Sequence, residues 1–135
     1  MIRLIQFLNE KNHFLEKFYS LNERQIDMLE SGLFDGIEKF YNQREDLLKI
    51  LKYVDAEIYK SHTDHKDMNG LFNDIQKQEI REALGIKETY VRRILEQDLI
   101  VLSLIDEAKT RIIRELQEVQ KSRKALAGYK ASAAS

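Results

Sequence analysis

The sequence predicts an all-α fold, an antiparallel up-down-up bundle or coiled coil of three long helices with one short connecting helix. Three observations carry that expectation. Proline is absent and glycine appears only five times in 135 residues, where average usage would supply about seven prolines and about nine glycines. Apolar residues recur at three- and four-residue spacing over most of the chain, the period of a helix with one packed stripe. Charged residues make up 33% and apolar ones 43%, a balance suited to amphipathic helices.

The first helix is expected over residues 2–30. Its apolar row is Ile5, Leu8, Leu15, Tyr19, Ile26, Leu29 and Leu33, with Asn12 and Asn22 filling the gaps. Asparagines in such a seam trade stability for register or oligomer choice. A second row, Leu4, Phe14, Phe18, Leu21 and Met28, requires a second neighbour within the fold or a partner outside it. Ser31-Gly32 is a candidate break, although the periodicity runs through it.

The second helix is expected over 34–61. Its row reads Leu33, Ile37, Phe40, Arg44, Leu47, Leu51, Val54 and Ile58, so Arg44 stands where an apolar residue belongs. Two readings of it are open. The stem can lie along the seam while the guanidinium reaches the edge, or Arg44 can form a buried pair with a carboxylate such as Asp98 on the last helix.

The run from Ser61 to Gly70 combines short polar residues, mixed charge and Asn-Gly, and reads as the main loop. A short helix over 71–84 follows, with Gly85 closing it as a left-handed residue beyond its C-terminus. From 87 to 127 the pattern is again helical. Ile94, Asp98, Val101, Ile105, Ala108, Ile112, Glu115 and Val119 form its row. Between Leu99 and Ile105 the apolar character extends nearly all round, so that stretch is expected to be deeply packed. Residues 128–135 are expected to fray.

Little in the sequence points to chemistry. Zero cysteine excludes disulfides, thiolate zinc sites and cysteine nucleophiles. His62 and His65 flank Asp64, with Asp67 beyond. Within a flexible loop, and without a second histidine pair, they are read as solvated rather than metal-bound. The Asp67–Gly70 run lacks EF-hand spacing, with Gln76 where the glutamate would fall. The glycines never cluster into a phosphate loop, and His13 is the one remaining histidine for any triad. The expectation is a protein without catalysis, metal or cofactor.

The N-terminal apolar residues run directly into Asn9, Glu10 and Lys11, so no signal-peptide core forms. The longest apolar stretch is far short of the roughly 18 residues a spanning helix needs. A cytoplasmic protein with no membrane insertion is expected. The net charge of −1 recruits neither nucleic acid nor membrane in bulk, but it is unevenly spread. From Lys109 onward seven basic residues face two acidic ones, a net of +5, while residues 31–108 carry −5. Helix-dipole complementarity accounts for the last turn only. Ile112, Ile113, Leu116, Val119 and Leu126 lie between those charges, and an amphipathic helix of this kind can bind a partner by groove packing. A nucleic-acid arm would want aromatic platforms, and Tyr129 alone is present there.

Two regions resemble flagellar export chaperones of the FlgN/FliT type. Phe7-Leu8-Asn9-Glu10-Lys11-Asn12-His13-Phe14-Leu15 leads through Leu29-Glu30-Ser31-Gly32-Leu33-Phe34-Asp35 to Gln43-Arg44-Glu45-Asp46-Leu47-Leu48. This is similar to the family's first helix, short acidic step and basic-Glu-x-Leu-Leu segment. Glu115-Leu116 through Arg123-Lys124-Ala125-Leu126-Ala127-Gly128-Tyr129 is similar to its basic C-terminal helix ending near an aromatic residue. The likeness covers most of the chain in degenerate heptad text, and His62 to Leu84 has no counterpart in it. It implies a small cytoplasmic chaperone for hook–filament junction proteins that also contacts the export gate. It further implies client binding through Ile112, Ile113, Leu116, Val119, Leu126 and Tyr129. The residues also allow a structural homodimeric coiled coil with no client. Asn12 and Asn22, which with Arg44 and Asp98 make up a structural polar seam, would then set register, and the surplus row on the first helix would form the dimer face.

Overall fold

The computed structural model describes residues 2–64 and 72–134. It is helical, without strands among the described residues: α1 runs Ile2–Glu30, α2 Ile37–Asp64 and α3 Asp74–Ala134. Two compact units divide the chain, Met1–Val101 and Leu102–Ser135.

The first unit contains α1, α2 and the beginning of α3. Alpha-helix α1 ends in a Schellman motif, in which the Leu33 amide donates to the Met28 carbonyl at 2.8 Å and the Gly32 amide to Leu29 at 3.1 Å. Gly32 has φ of 77°, a left-handed conformation in which a Cβ would be strained. The helix therefore stops at the weak break, and Leu33, Phe34 and Asp35 lie in the connection. That displaces α2 relative to the expected 34–61. At its other end Ser61, His62, Thr63 and Asp64 are helical rather than looped. Ser61 continues the packed face of Val54 and Ile58 and is buried, which gives the extra turn a reason to form.

The two helices expected over 71–84 and 87–127 are one helix. Gly85 lies inside α3 and does not take the left-handed conformation. Glycine costs only about 1 kcal/mol against alanine within a helix. The strong helix formers Ala83, Leu84, Lys87 and Glu88 around it outweigh that, and the Thr89 hydroxyl donates to the Gly85 carbonyl at 3.1 Å. The start of α3 is set three residues later than expected by a capping box. Asn73 Oδ1 accepts from the Gln76 amide at 2.8 Å, while Gln76 Oε1 accepts from the Asn73 amide at 3.0 Å. Helix also persists through the segment expected to fray, as far as Ala134. Its alanines have the highest helix propensity.

Two apolar clusters organise the first unit. Leu15, Phe18, Leu51 and Ile94 form one, with Phe14, Tyr19, Leu47 and Tyr90 against it. Leu4, Leu8 and Ala83 form the other, with Ile58, Phe72 and Ile80 around them. Most of both apolar rows of α1 is used in this packing: Leu4, Phe18 and Leu21 are buried and Phe14 is half-buried, while Met28 and Leu33 at the C-terminal end stay exposed. Leu4, Phe14 and Phe18 of the surplus row on α1 find their neighbours within the chain, on α2 and α3. Lys11 bonds Asp55, Asn12 reaches the Ala83 carbonyl and Gln97 reaches the Tyr19 carbonyl. Contacts in this order are compatible with an up-down-up course.

The segment 99–105 is not packed all round. Val101 and Ile105 are buried, whereas Leu99 is 71% exposed and Ile100 and Leu102 are also exposed. Burial follows a single face of α3, so apolar residues off that face remain in solvent.

Candidate functional site

Polar residues interrupt the first unit's core where α1, α2 and α3 meet. Asn22 is completely buried, and its Nδ2 donates to Asp98 Oδ1 at 3.3 Å. Arg44 Nη2 donates to Asp98 Oδ2 at 2.7 Å, and the guanidinium carbon stands 5.5 Å from the centre of the Phe18 ring. The structure thus brings Arg44 to Asp98 instead of leaving its charge alone at the edge. Gln97 spans the same level, its Nε2 donating to Glu23 Oε1 at 2.7 Å and to the Tyr19 carbonyl at 3.1 Å. Asn12 Nδ2 donates to the Ala83 carbonyl at 2.9 Å.

Asn12, Asn22, Arg44 and Asp98 therefore all bond across helices, but not as one group: Asn12 sits apart from the other three. Gln25 and Gln97, both buried, and Glu23 escaped the sequence reading. A signal existed for Gln97, which lies one position from the row containing Asp98. Among the described residues nothing partners Asn12 Oδ1, Asn22 Oδ1, Gln25 Nε2, Arg44 Nε or Gln97 Oε1. Unsatisfied buried polar atoms cost stability.

Other polar features are chemically plain. His62 is exposed on the last turn of α2, whereas His65 and Asp67 lie outside the described residues. Among the described residues no group of three or more metal-ligating side chains converges, and no helix is long and apolar enough to cross a membrane. A shallow groove of about 590 Å³ is lined by His13, Glu16, Lys17, Ser20, Arg24 and Asp46 among others. No hydrogen bond joins Ser20 to His13 there.

The second unit, Leu102–Ser135, differs in kind. Ile105 and Ala108 are buried, but every side chain from 109 to 131 is exposed. Ile112, Ile113, Leu116, Val119, Leu126 and Tyr129 are all among these exposed residues, Leu116 at 59% and Tyr129 at 74%. Seven residues make nearly two helical turns, so Ile105, Ile112, Val119 and Leu126 form one continuous row along α3. That row is buried at Ile105 and exposed from Ile112 onward. Ile113 and Leu116 widen the apolar strip on one side. Tyr129 follows Leu126 by three positions and prolongs the row by one step.

The neighbouring row, four residues on, reads Lys109, Leu116, Arg123 and Lys130. Among the described residues no ion pair involves these cations or Arg111, Arg114, Lys121 and Lys124. The arrangement can present apolar surface and unpaired positive charge to another chain. No family model, curated protein or solved structure matches this chain.

Proposed function

We propose that this chain is a non-catalytic binding protein of the chaperone type, which shields an apolar helix of a client with the exposed face of α3 beyond Ala108. The observation that carries this reading is the row Ile112, Val119 and Leu126, which repeats core spacing yet stays in solvent. Exposed apolar patches of this form mark interaction sites, and a helix face read at heptad spacing suits helix-on-helix docking. The first unit then acts as a scaffold, an up-down-up bundle in which the polar layer of Asn22, Arg44 and Asp98 keeps register.

The resemblance to flagellar export chaperones of the FlgN/FliT type gives the proposal its content. The clients would be hook–filament junction proteins, held export-competent in the cytoplasm, with the export gate as a further partner. Titration calorimetry of the full chain against C-terminal fragments of those proteins tests it. Saturable one-to-one binding is expected, lost in Leu116→Glu and Val119→Glu and on truncation at Lys109. Unchanged affinity in the two substituted chains, with helicity retained, would remove α3 as the site.

A second reading, a homodimer, draws on α3 within the first unit. Leu95 and Leu99 are exposed beside Val91, in a groove lined by Lys87, Glu88, Arg92 and Glu96. That mixture of signs suits a second copy better than a partner of one charge. Light scattering separates the readings: a dimer that persists on dilution favours the homodimer.

A further inference from the structure

The protein contains its own example of a cation placed in an apolar helical row. Arg44 occupies such a position on α2, and Asp98 of the packed neighbour meets it at 2.7 Å. The amide of Asn22 shares the same carboxylate. A cation in a seam is tolerated when the facing helix supplies a carboxylate, since the charge is otherwise desolvated without compensation.

Beyond Ala108 the same arrangement recurs without the neighbour. The apolar row Ile112, Val119, Leu126 is flanked at four residues by Leu116, Arg123 and Lys130. Any helix packed on the apolar row would cover the stems of Arg123 and Lys130 and bring its own flanking residues against their charges. Among the described residues neither cation has an ion pair, and the two acidic residues of this stretch, Glu115 and Glu118, leave a surplus of five positive charges. An apolar helix with neutral flanks would leave those cations unmatched. One with basic flanks would oppose them directly.

We infer that the face of α3 beyond Ala108 accepts an acidic amphipathic helix of a partner protein, one whose apolar heptad row is flanked by carboxylates at seven-residue spacing that meet Arg123 and Lys130. The inference rests on the docking face proposed above and specifies what occupies it. A protein helix fits better than an anionic membrane. Arg123 and Lys130 lie beside the apolar row itself, where a facing helix can place a carboxylate at each position. Membrane-surface helices instead confine their cations to the far side and favour large aromatic anchors, whereas Tyr129 is the one aromatic residue in this stretch.

Three synthetic amphipathic helices of equal length and identical leucine heptad row test this, with flanking positions all Glu, all Gln or all Lys. Each is titrated by fluorescence anisotropy into the full chain. The Glu helix is expected to bind one-to-one, about tenfold tighter than the Gln helix, with the difference shrinking as salt rises. The Lys helix should fail to bind. In the double variant Arg123→Glu, Lys130→Glu the preference should invert, with far-UV circular dichroism unchanged because both positions are exposed.

Equal binding of the Glu and Gln helices, each lost in Leu116→Glu, would overturn the acidic specification while leaving the docking face in place. Absence of binding by every helix would overturn both. Binding to phosphatidylserine vesicles with no binding to the helices would assign the face to a membrane instead.

Discussion

Arg44 shows how much a single position depends on what lies across from it. Its row on α2 exposes the anomaly, but the outcome turns on Asp98, 54 residues away. Replacing Arg44 with leucine leaves Asp98 with Asn22 alone, in a site where both charged side chains are largely covered. A loss of about 1–3 kcal/mol is expected, read as a lower melting temperature. The double replacement Arg44→Leu, Asp98→Leu should recover much of it. No loss in the single variant would return Arg44 to a solvated edge position. Gly85 is the opposite case. A Cβ there meets nothing within 4 Å and the backbone is already helical, so Gly85→Ala should stabilise by about 0.5–1 kcal/mol in urea denaturation.

At the scale of elements, periodicity made the helical segments legible and left their ends obscure. Apolar spacing marks α1, α2 and α3 because a buried stripe must repeat with the helical turn. Ends are decided by local hydrogen bonds that periodicity ignores. Gly32 ends α1 because the Met28 and Leu29 carbonyls need donors. The loop-like composition before α3 gives way at Asn73, where the Asn-Asp-Ile-Gln sequence closes a reciprocal cap with Gln76. That signature was readable, since Asn followed three residues later by Gln is a helix start. Its weight can be measured: Asn73→Ala should cost about 1 kcal/mol, and Gln76→Ala less. Helicity of α3 should otherwise be kept.

Across the molecule, burial separates two kinds of helix. Residues of the first unit are tied by clusters around Phe18 and Leu8, whereas 109–131 have no covered side chain. An uncovered helix lacks the tertiary packing that supplies most helical stability. Amide exchange should therefore be orders of magnitude faster in 109–131 than around Leu15, Leu51 and Ile94, as read by mass spectrometry. Partner binding should slow it there first. Equal protection of both regions in the free chain would contradict an unpartnered face. The candidate residues of that face were legible because the charge turns basic after Ala108 while the apolar spacing continues. Their availability was not, since an apolar row reads identically whether a neighbour covers it or water does.

The sequence by itself determined the helical class, the amphipathic rows and the basic character of the C-terminal stretch, because each depends on residues within a few turns of one another. Tertiary structure alone decided which rows are covered. It used most of both rows of α1, only one face of α3, and the pairing of Arg44 with Asp98. Those outcomes require helices distant in the chain to meet, and neither local propensity nor period encodes which surfaces will do so.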